Sequence, residues 1–333
     1  MTAGKRRAAP TEGGVVIGLD VAVVAVTEEE PRVLTVRRVS HAPDVTDALE
    51  ALPFGPFEPL RHRTLDGGLR SWVEEQTSLK LGYVEQLYTF GDRGRDPRER
   101  QGGPRVVSVG YLALVREAAP AGAGHGVWQN WYTYFPWEDW RGGAPALLDK
   151  TIRPLLDRWA KAAANTGERR ARILRIATTF GLGSAAWNDE RVLERYELLY
   201  EAGLIAEAIR DRGDAPSTHH PLGQAMALDH RRILATAMGR LRGKIKYRPV
   251  VFELMPPTFT LLQLQRAVEA LAGAELHKQN FRRLVETTGL VERTGKRENQ
   301  TGGRPAEQFR FRRDVLVERA AQGVRLAPPR RDA

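Results

Sequence analysis

The alternation of apolar and polar residues divides this chain of 333 residues into regions with different expected architectures. Near the N-terminus, the β-branched runs "VVIGLDVAVVAV" and "RVLTVRRV" flank the polar turn "TEEEP", which predicts a hairpin at the edge of a sheet. A helix is expected from Leu65 to Gln76. Strands are expected at Tyr83–Phe90 and Val106–Val115, on either side of a long polar loop. The region 15–143 is therefore predicted to be a mixed sheet with a helix across it.

Helical spacing takes over in the region 144–243. The stretches "LLDKTIRPLLDRWAKAA" and "RVLERYELLYEAGLIAEAIRD" place apolar residues three and four positions apart, which is typical of amphipathic helices. A further, connecting helix is expected over Ala225–Leu241. Nothing in the insert 144–223 carries obvious chemistry, so packing or dimerisation is its default role.

The region 244–322 has the pattern of a winged helix-turn-helix. Thr260 is an N-cap type and Gln263 follows three residues later, which predicts a capping box, and Gly273 is placed to end that helix. Two short strands around a polar tip are expected to form the wing. The second helix is expected to direct toward the core a stripe at i, i+3, i+4 and i+7, made of Phe281, Leu284, Val285 and Thr288.

The opposite face of the second helix carries side chains that pair with base edges. A recognition helix enters the major groove with its N-terminal residues, and Arg, Lys, Asn and Gln are suited to that contact. The alternative is a solvated basic face on a structural helix pair. The candidate DNA-binding residues are Lys278, Gln279, Asn280, Arg282 and Arg283 on the helix, and Lys296, Arg297 and Arg304 at the tip of the wing.

Charge distribution supports a separate function for this end. The net charge is +10, and the last 90 residues hold 18 Lys/Arg against 10 Asp/Glu, which accounts for +8 of it. A basic region joined to a nearly neutral one suggests a module that binds a polyanion, attached to a body with another role.

Composition excludes several classes of protein. There are no cysteines, which rules out disulfides and thiolate metal sites and fits a reducing cytoplasm. No apolar run approaches the roughly 20 residues of a membrane span, and "MTAGKRRAAPTEGG" has no signal-peptide core. We expect flexible tails at 1–14 and 323–333, a cytoplasmic location, no membrane partner, no cofactor and no metal.

Several strings carry a resemblance to a known family. Residues 52–115 resemble a Nudix domain, the fold of hydrolases that act on nucleoside diphosphates linked to another group. Together, "YVEQLYTFGDRGRDPR", "MALDHRRIL", "LRGKIKYRPVVFELMPPTFTLLQLQ" and "NFRRLVETTGLVERTG" resemble the Nudix-related transcriptional regulators of NAD metabolism in bacteria. The match covers roughly 15–140 and 225–313, and Lys246–Gln265 is its most specific part. The insert departs from shorter members and looks more like the long alphaproteobacterial branch.

This resemblance implies an α+β fold with a Nudix-like mixed sheet and helix domain, a helical insert and a C-terminal winged helix-turn-helix. It implies a cytoplasmic homodimer that represses NAD biosynthesis genes by binding double-stranded DNA at a palindromic operator. In such regulators the Nudix-like domain senses an adenine nucleotide, and ADP-ribose, NAD and ATP remain open as the effector here. Another possibility is a DNA-binding protein whose first domain is purely structural and binds no nucleotide.

The family's catalytic motif is incomplete in this sequence. A working Nudix box needs a glycine, a glutamate six residues later, and an Arg-Glu pair followed by two further glutamates on one helix, because Mg²⁺ prefers several oxygen ligands. The matching positions hold Gly55, then Arg61 and His62 near the first glutamate, Arg70 followed by Ser71, then Glu74 and Glu75, with Ser78 for the closing glycine. Because most of the required glutamates are missing, no catalytic residue is predicted. The alternative is a Mg²⁺-dependent Nudix pyrophosphatase acting on ADP-ribose-like nucleotides.

The polar loop after Phe90 is the predicted ligand site. Guanidinium groups match phosphate oxygens bidentately, and aspartates accept hydrogen bonds from ribose hydroxyls. The candidate ligand-binding residues are Arg37, Arg38, Phe90, Asp92, Arg95, Asp96, Arg98 and Arg105.

Overall fold

The structure is a computed structural model that describes residues 14–27, 29–37, 49–96, 99, 102–117, 126–214, 221–298 and 305–314. It divides the chain into two compact units: residues up to Leu254 with Ala267–Glu275, and Met255–Arg266 with the residues from Leu276 onward. The second unit thus begins at Met255, whereas the sequence places the start of the winged helix region at 244. No helix in the described ranges has the length and apolar character needed to cross a membrane.

The first unit contains a seven-stranded sheet and most of the helices. Its strands are β1 (Val15–Thr27), β2 (Glu30–Arg37), β3 (Glu50–Ala51), β4 (Phe54–Pro56), β5 (Tyr83–Phe90), β6 (Arg105–Leu114) and β7 (Val127–Asn130). Its helices are α1 (Leu65–Thr77), α2 (Arg153–Lys161), α3 (Thr166–Phe180), α4 (Val192–Glu201), α5 (Ala206–Asp211) and α6 (His230–Ile245), with a π-helical turn at Leu148–Ile152 and 3-10 turns at Trp131–Thr133 and Val250–Glu253.

The order of this sheet is β3-β2-β1-β6-β5, with β4 paired to β1 and β7 to β2. The predicted hairpin of β1 and β2 is confirmed, but its expected place at the sheet edge is wrong, because β2 also pairs with β3 and β7 on its other side. Strand β1 pairs in parallel with β6 over Val15–Val24 and is completely buried at Val21–Ala25. A local alternation pattern does not encode which distant strand supplies the second partner.

Helix α1 covers one face of the sheet, where Leu69 and Val73 pack on Leu19, Val21 and Tyr111. Thr64 caps the helix by accepting a hydrogen bond from Gly67 N at 3.0 Å. The predicted helix at Leu65–Gln76 is thereby confirmed, one residue short of its observed end.

A close approach explains the glycine in β4. A Cβ on Gly55 would lie 2.3 Å from the ring of Trp72, so any larger residue would separate β4 from α1. This glycine position therefore has a packing role that is independent of catalysis.

Helix α6 covers the opposite face of the sheet. Neighbouring residues of a strand point to opposite faces, so the contacts of two consecutive residues show which helix lies on which face. Ile233 of α6 approaches Gly110 of β6, whereas the neighbouring Tyr111 belongs to the core beneath α1. The helix expected over Ala225–Leu241 starts later, at His230, since Leu228 has a positive φ of 51° that is incompatible with a helix.

Candidate nucleic-acid interface and ligand site

The second unit is built around helices α7 (Leu261–Ala272), of which the first half belongs to this unit, and α8 (Lys278–Thr288). The predicted capping box is confirmed: Gln263 N donates to Thr260 Oγ1 at 3.1 Å, and Thr260 N donates to Gln263 Oε1 at 2.7 Å. Gly273, with φ of 69°, follows the last residue of α7, as expected. The side chain of Gln265 donates to Leu276 O at 2.9 Å and so ties α7 to the turn before α8.

Three antiparallel strands complete this unit in the order β8 (Phe259–Thr260), β10 (Ala306–Phe311) and β9 (Val291–Glu298). Phe309 is buried while its neighbour Arg310 is exposed, as the alternation in the sequence predicts. Two helices followed by a hairpin of this kind form a winged helix.

Helix α8 presents a polar surface on its exposed side. Phe281 and Val285 are buried, and the five candidate residues Lys278, Gln279, Asn280, Arg282 and Arg283 are all exposed. These residues form no ion pair or side-chain hydrogen bond with other described residues, so their donors are available to DNA.

The predicted core position of Leu284 is wrong, because 61% of this residue is exposed. Phe281 and Val285 lie about 40° apart on the helix and define a narrow buried stripe, while Leu284 lies roughly 80° from its centre. The i, i+3, i+4 pattern in the sequence therefore overestimates the width of the buried face.

Lys296 and Arg297 are exposed on β9 and make no ion pair within the described residues. Arg293 and Arg310, by contrast, pair with Glu307 and Glu292 across the hairpin. The two free cations on the wing are thus the ones that the sequence singles out, while Arg304 lies outside the described residues.

In the segment that resembles a Nudix box, Arg61 is hydrogen-bonded to Glu75 of α1, and its guanidinium stacks over Trp72 at 5.4 Å. Ser71 Oγ donates to the same carboxylate at 3.2 Å. Glu74 has Lys80 within 3.8 Å. The carboxylates of Glu74 and Glu75 therefore both face cationic side chains.

His62, near the position of the first family glutamate, is buried. Its Nδ1 accepts a hydrogen bond from Glu58 N at 3.1 Å, and its ring lies 2.8 Å from where a Cβ on Gly68 would be. Across the described part of the chain, no group of three or more His, Asp or Glu side chains is arranged to hold a metal ion.

The loop after β5 places its charged residues in different environments. Asp92 is exposed and bonded to Arg232 of α6. Asp96 and Phe90 are buried. Arg105 is exposed and donates to Gly91 O at 2.6 Å. Arg37 is exposed at the end of β2, while Arg38 and Arg98 lie outside the described residues.

Arg95 is held inside the first unit. Its guanidinium donates to both carboxylate oxygens of Asp229, at 2.9 and 2.6 Å, and to Ser108 Oγ at 2.6 Å. Ser108 in turn lies close enough to Asp20 to lower the pKa of its carboxyl group. The side chain of Arg95 is only 5% exposed, so its donors serve the fold in this structure.

Behind this arginine, Asp20 is buried, with His230 Nε2 at 3.4 Å from its Oδ1. Burial raises the pKa of Asp20, although His230, Ser108 and Arg95 act in the opposite direction. The loop after β5 is therefore connected through polar side chains to the centre of the sheet.

A cleft of about 390 Å³ opens between this loop and helices α4 to α6. Arginine, aspartate, glutamate and tyrosine side chains from three parts of the chain line it. Sequence reasoning missed most of them because they come from the insert and from α6: Arg175, Tyr196, Glu197, Tyr200, Arg210, Asp229 and Arg232.

Comparison with known families agrees with the geometry of the second unit. Residues 251–311 match the model of the NrtR DNA-binding winged helix domain. This part of the chain is similar to the NrtR winged helix domain over 61 residues. The resemblance to Nudix-related regulators is thereby confirmed where the candidate DNA-binding residues lie.

A curated relative, the ADPR responsive transcriptional repressor NtrR of Acinetobacter baylyi, is 41% identical over 86 residues. The aligned part is 26% of this chain and 34% of the relative, so the chain matches about a third of that protein's length.

Solved structures extend the likeness to most of the chain. NrtR of Shewanella oneidensis, solved alone, gives a TM-score of 0.53 at 21% identity, covering 90% of this chain and 94% of that one. Its complex with a 27mer DNA gives 0.51 at 20% identity, with 90% and 95% coverage. A MutT/nudix family protein from Enterococcus faecalis gives 0.50 at 16% identity, covering 92% and 90%. The predicted fold class is confirmed: a Nudix-like α+β domain, helices and a C-terminal NrtR-type winged helix.

Proposed function

We propose that this protein is a DNA-binding transcriptional repressor. The observation that carries the proposal is an NrtR-type winged helix domain whose second helix exposes Lys278, Gln279, Asn280, Arg282 and Arg283. Donors of this kind read base edges in the major groove, and the cations of the wing add phosphate contacts. A winged helix of this size reads DNA specifically as a dimer, so we propose a cytoplasmic homodimer on a palindromic operator.

We propose that the first unit is the sensor of an adenine nucleotide and that the regulated genes are those of NAD biosynthesis. The partial relative in Acinetobacter baylyi is an ADPR responsive repressor, which makes ADP-ribose the first candidate, with NAD and ATP as alternatives. Such a ligand can act only if it binds the DNA-competent and DNA-incompetent states with different affinity.

We also propose that the Nudix-like motif does not catalyse hydrolysis. Mg²⁺ requires several oxygen ligands, but Glu75 is compensated by Arg61, and the buried His62 lies near the position of another ligand. A cation bound beside Arg61 would meet electrostatic repulsion, so these residues do not fit the metal of the hydrolases.

Fluorescence anisotropy tests the proposal. Labelled DNA from upstream of the host's NAD synthesis genes is titrated with the protein at fixed salt, with and without ADP-ribose, NAD or ATP, against unlabelled competitor DNA. We expect specific binding that one of the nucleotides changes. Specific binding that is indifferent to all three would leave the repressor and remove the sensor.

A parallel assay addresses catalysis. The protein is incubated with ADP-ribose and Mg²⁺, and products are separated by chromatography. Turnover at enzyme-like rates that Glu75→Gln abolishes, together with no specific DNA binding, would replace the proposal with a pyrophosphatase. No turnover above background is expected.

A further inference from the structure

The cleft beside the loop after β5 differs in position from the Nudix motif. Helix α1 carries that motif on one face of the sheet, whereas the cleft lies beside α6, which packs on the other face. Its walls include residues of α4 and α5, which belong to the helical insert. The cleft therefore lies away from the Nudix-like motif, and the helical insert forms part of its wall.

Arg232 is the central charge of this cleft. Its Nε donates to Glu197 Oε1 of α4 at 2.8 Å, Nη2 lies 2.7 Å from the same oxygen, and Nη1 is bonded to Asp92 in the loop. Glu197 is 38% exposed, while Asp92 is 67% exposed. An ion pair with an exposed partner contributes only about 0 to 1 kcal/mol, so a stronger anion can replace Asp92.

Arg93 supplies a second cation at the same edge. It is exposed, lines the cleft, and makes no ion pair or side-chain hydrogen bond with the residues that the structure describes. The other arginines of the cleft are engaged: Arg95 by Asp229, Arg175 by Glu201, and Arg210 by the carbonyls of Met226 and Leu228.

The far wall is suited to the organic part of a ligand. Tyr200 of α4 is 39% exposed, and its hydroxyl donates to Asp211 at 2.8 Å, which fixes the ring. Tyr196, one turn earlier, is buried beneath it, with ring centroids 6.4 Å apart. An aromatic surface beside two guanidinium groups matches a planar base or sugar attached to phosphate.

We propose that this cleft binds the phosphate groups of the nucleotide effector through Arg93 and Arg232, and that Asp92 is an internal competitor which the phosphate displaces. The inference rests on the proposed sensing of a nucleotide and adds the position of the site. It assigns to Asp92 a role opposite to that of a ribose acceptor. It also gives the helical insert a function, because Glu197 and Tyr200 of α4 form one wall.

Calorimetric titration of the full-length protein with ADP-ribose, NAD and ATP tests the site. Arg93→Gln and Arg232→Gln should each weaken binding roughly ten-fold, the loss expected for a charge-assisted contact. Asp92→Asn should strengthen binding, up to about five-fold, because the competing charge is removed. Arg170→Gln, an exposed arginine of α3 outside the cleft, is the matched control and should bind as the wild type does.

The outcomes separate this site from the proposed function. If the wild type binds none of the three nucleotides, the sensor itself is wrong and the site with it. If the wild type binds and all three cleft variants bind equally well, the effector lies elsewhere and only the site is overturned. Weaker binding by Asp92→Asn would mean that Asp92 contacts the ligand and would overturn the competitor role.

A separate measurement checks that each variant is folded. Arg232 has two partners and its substitution can destabilise the protein, so thermal melting without ligand accompanies each titration. Arg93 is exposed and unpaired among the described residues, so Arg93→Gln should fold normally and bind the promoter DNA as the wild type does. That variant keeps the test decisive even if Arg232→Gln fails to fold.

Discussion

At the scale of single residues, the neighbours of each arginine decide whether its charge is available to a ligand. The guanidinium of Arg95 is hydrogen-bonded to Asp229 and Ser108, and that of Arg61 is hydrogen-bonded to Glu75. Arg283 has the same side chain but stands exposed on α8 without a described partner. Availability, and not residue type, therefore separates the candidates for binding from the arginines that hold the fold.

Arg283→Ala should weaken operator binding by about 1 to 3 kcal/mol and relax the preference for one base pair, because a guanidinium on a recognition helix reads a base edge bidentately. Anisotropy titrations on the operator and on single-base variants measure both effects. Arg170→Ala removes an equally exposed arginine from α3 and should change neither. Equal affinities for Arg283→Ala and the wild type would reject the assignment of α8 as the recognition helix.

A buried acid makes stability depend on pH. Burial raises the pKa of Asp20 in the folded state, so the folded protein binds this proton more tightly than the unfolded chain does. The stability contributed by the protonated form is present below the unfolded pKa of about 4 and is lost as pH rises through the folded pKa.

Asp20→Asn removes that titration. Urea midpoints measured between pH 4 and pH 7 should therefore fall less with rising pH for Asp20→Asn than for the wild type. The exposed Asp149 of the π-helical turn provides the control, and Asp149→Asn should keep the pH dependence of the wild type. Parallel curves for all three proteins would show that Asp20 does not titrate in this range.

At the scale of elements, the ends and contacts of helices carry much of the specificity. Helix α1 is followed by Ser78, which adopts the left-handed conformation with φ of 59°, and Ser78 N donates to Glu74 O at 2.8 Å. The middle of the chain is held instead by a buried ion cluster.

Ser78→Gly should stabilise the protein by about 1 kcal/mol, since glycine adopts the left-handed conformation without a Cβ penalty. The same substitution inside α1, Ser71→Gly, should destabilise by a similar amount because glycine disfavours a helix interior. Thermal melting compares the two. Changes of the same sign in both variants would contradict this account of the helix end.

Glu138 lies between two arginines, and all three side chains are fully buried. Its carboxylate accepts from Arg195 Nε at 2.5 Å and from Arg242 Nη1 at 2.6 Å, while Arg242 Nε also donates to Leu271 O at 3.0 Å. The cluster thus joins α4, α6 and the end of α7 within the first unit.

Glu138→Gln should lower the free energy of unfolding by about 3 to 5 kcal/mol, because it leaves two buried guanidinium groups without their counter-charge. Asp149→Asn breaks the exposed pair with Arg153 and should cost less than about 1 kcal/mol. Urea denaturation measures both. Similar small losses would mean that carbonyl groups alone satisfy the buried arginines.

At the scale of the whole molecule, most of the excess positive charge lies at the C-terminal end of the chain. The last 90 residues carry +8 of the net charge of +10, and they include residues 251–311, which match the NrtR winged helix model. Two exposed cations of the wing, Lys296 and Arg297, suit contacts with phosphate, which position a protein on DNA without reading its sequence.

The double substitution Lys296→Ala with Arg297→Ala should reduce the slope of log K against log salt by about 2, because each phosphate contact releases roughly one counterion. Affinity should fall on operator and competitor DNA alike. Anisotropy at several salt concentrations measures the slope. An unchanged slope would show that the wing does not contact the backbone, whereas a loss confined to the operator would make the wing a base reader.

The sequence by itself determined the features that depend on neighbours in the chain. Helix α1, strand β5, the capping box at Thr260 and the exposed donors of α8 follow from local periodicity and capping, so they were predictable. The tertiary structure decided the features that depend on distant partners: the central place of β1, the exposure of Leu284, the burial of Arg95, and the cleft walled by the insert. Asp229 lies 134 residues from Arg95 along the chain. No local pattern encodes such a contact. Whether a charged side chain stabilises the fold or remains available to bind a ligand depends on which distant residues the tertiary structure places beside it.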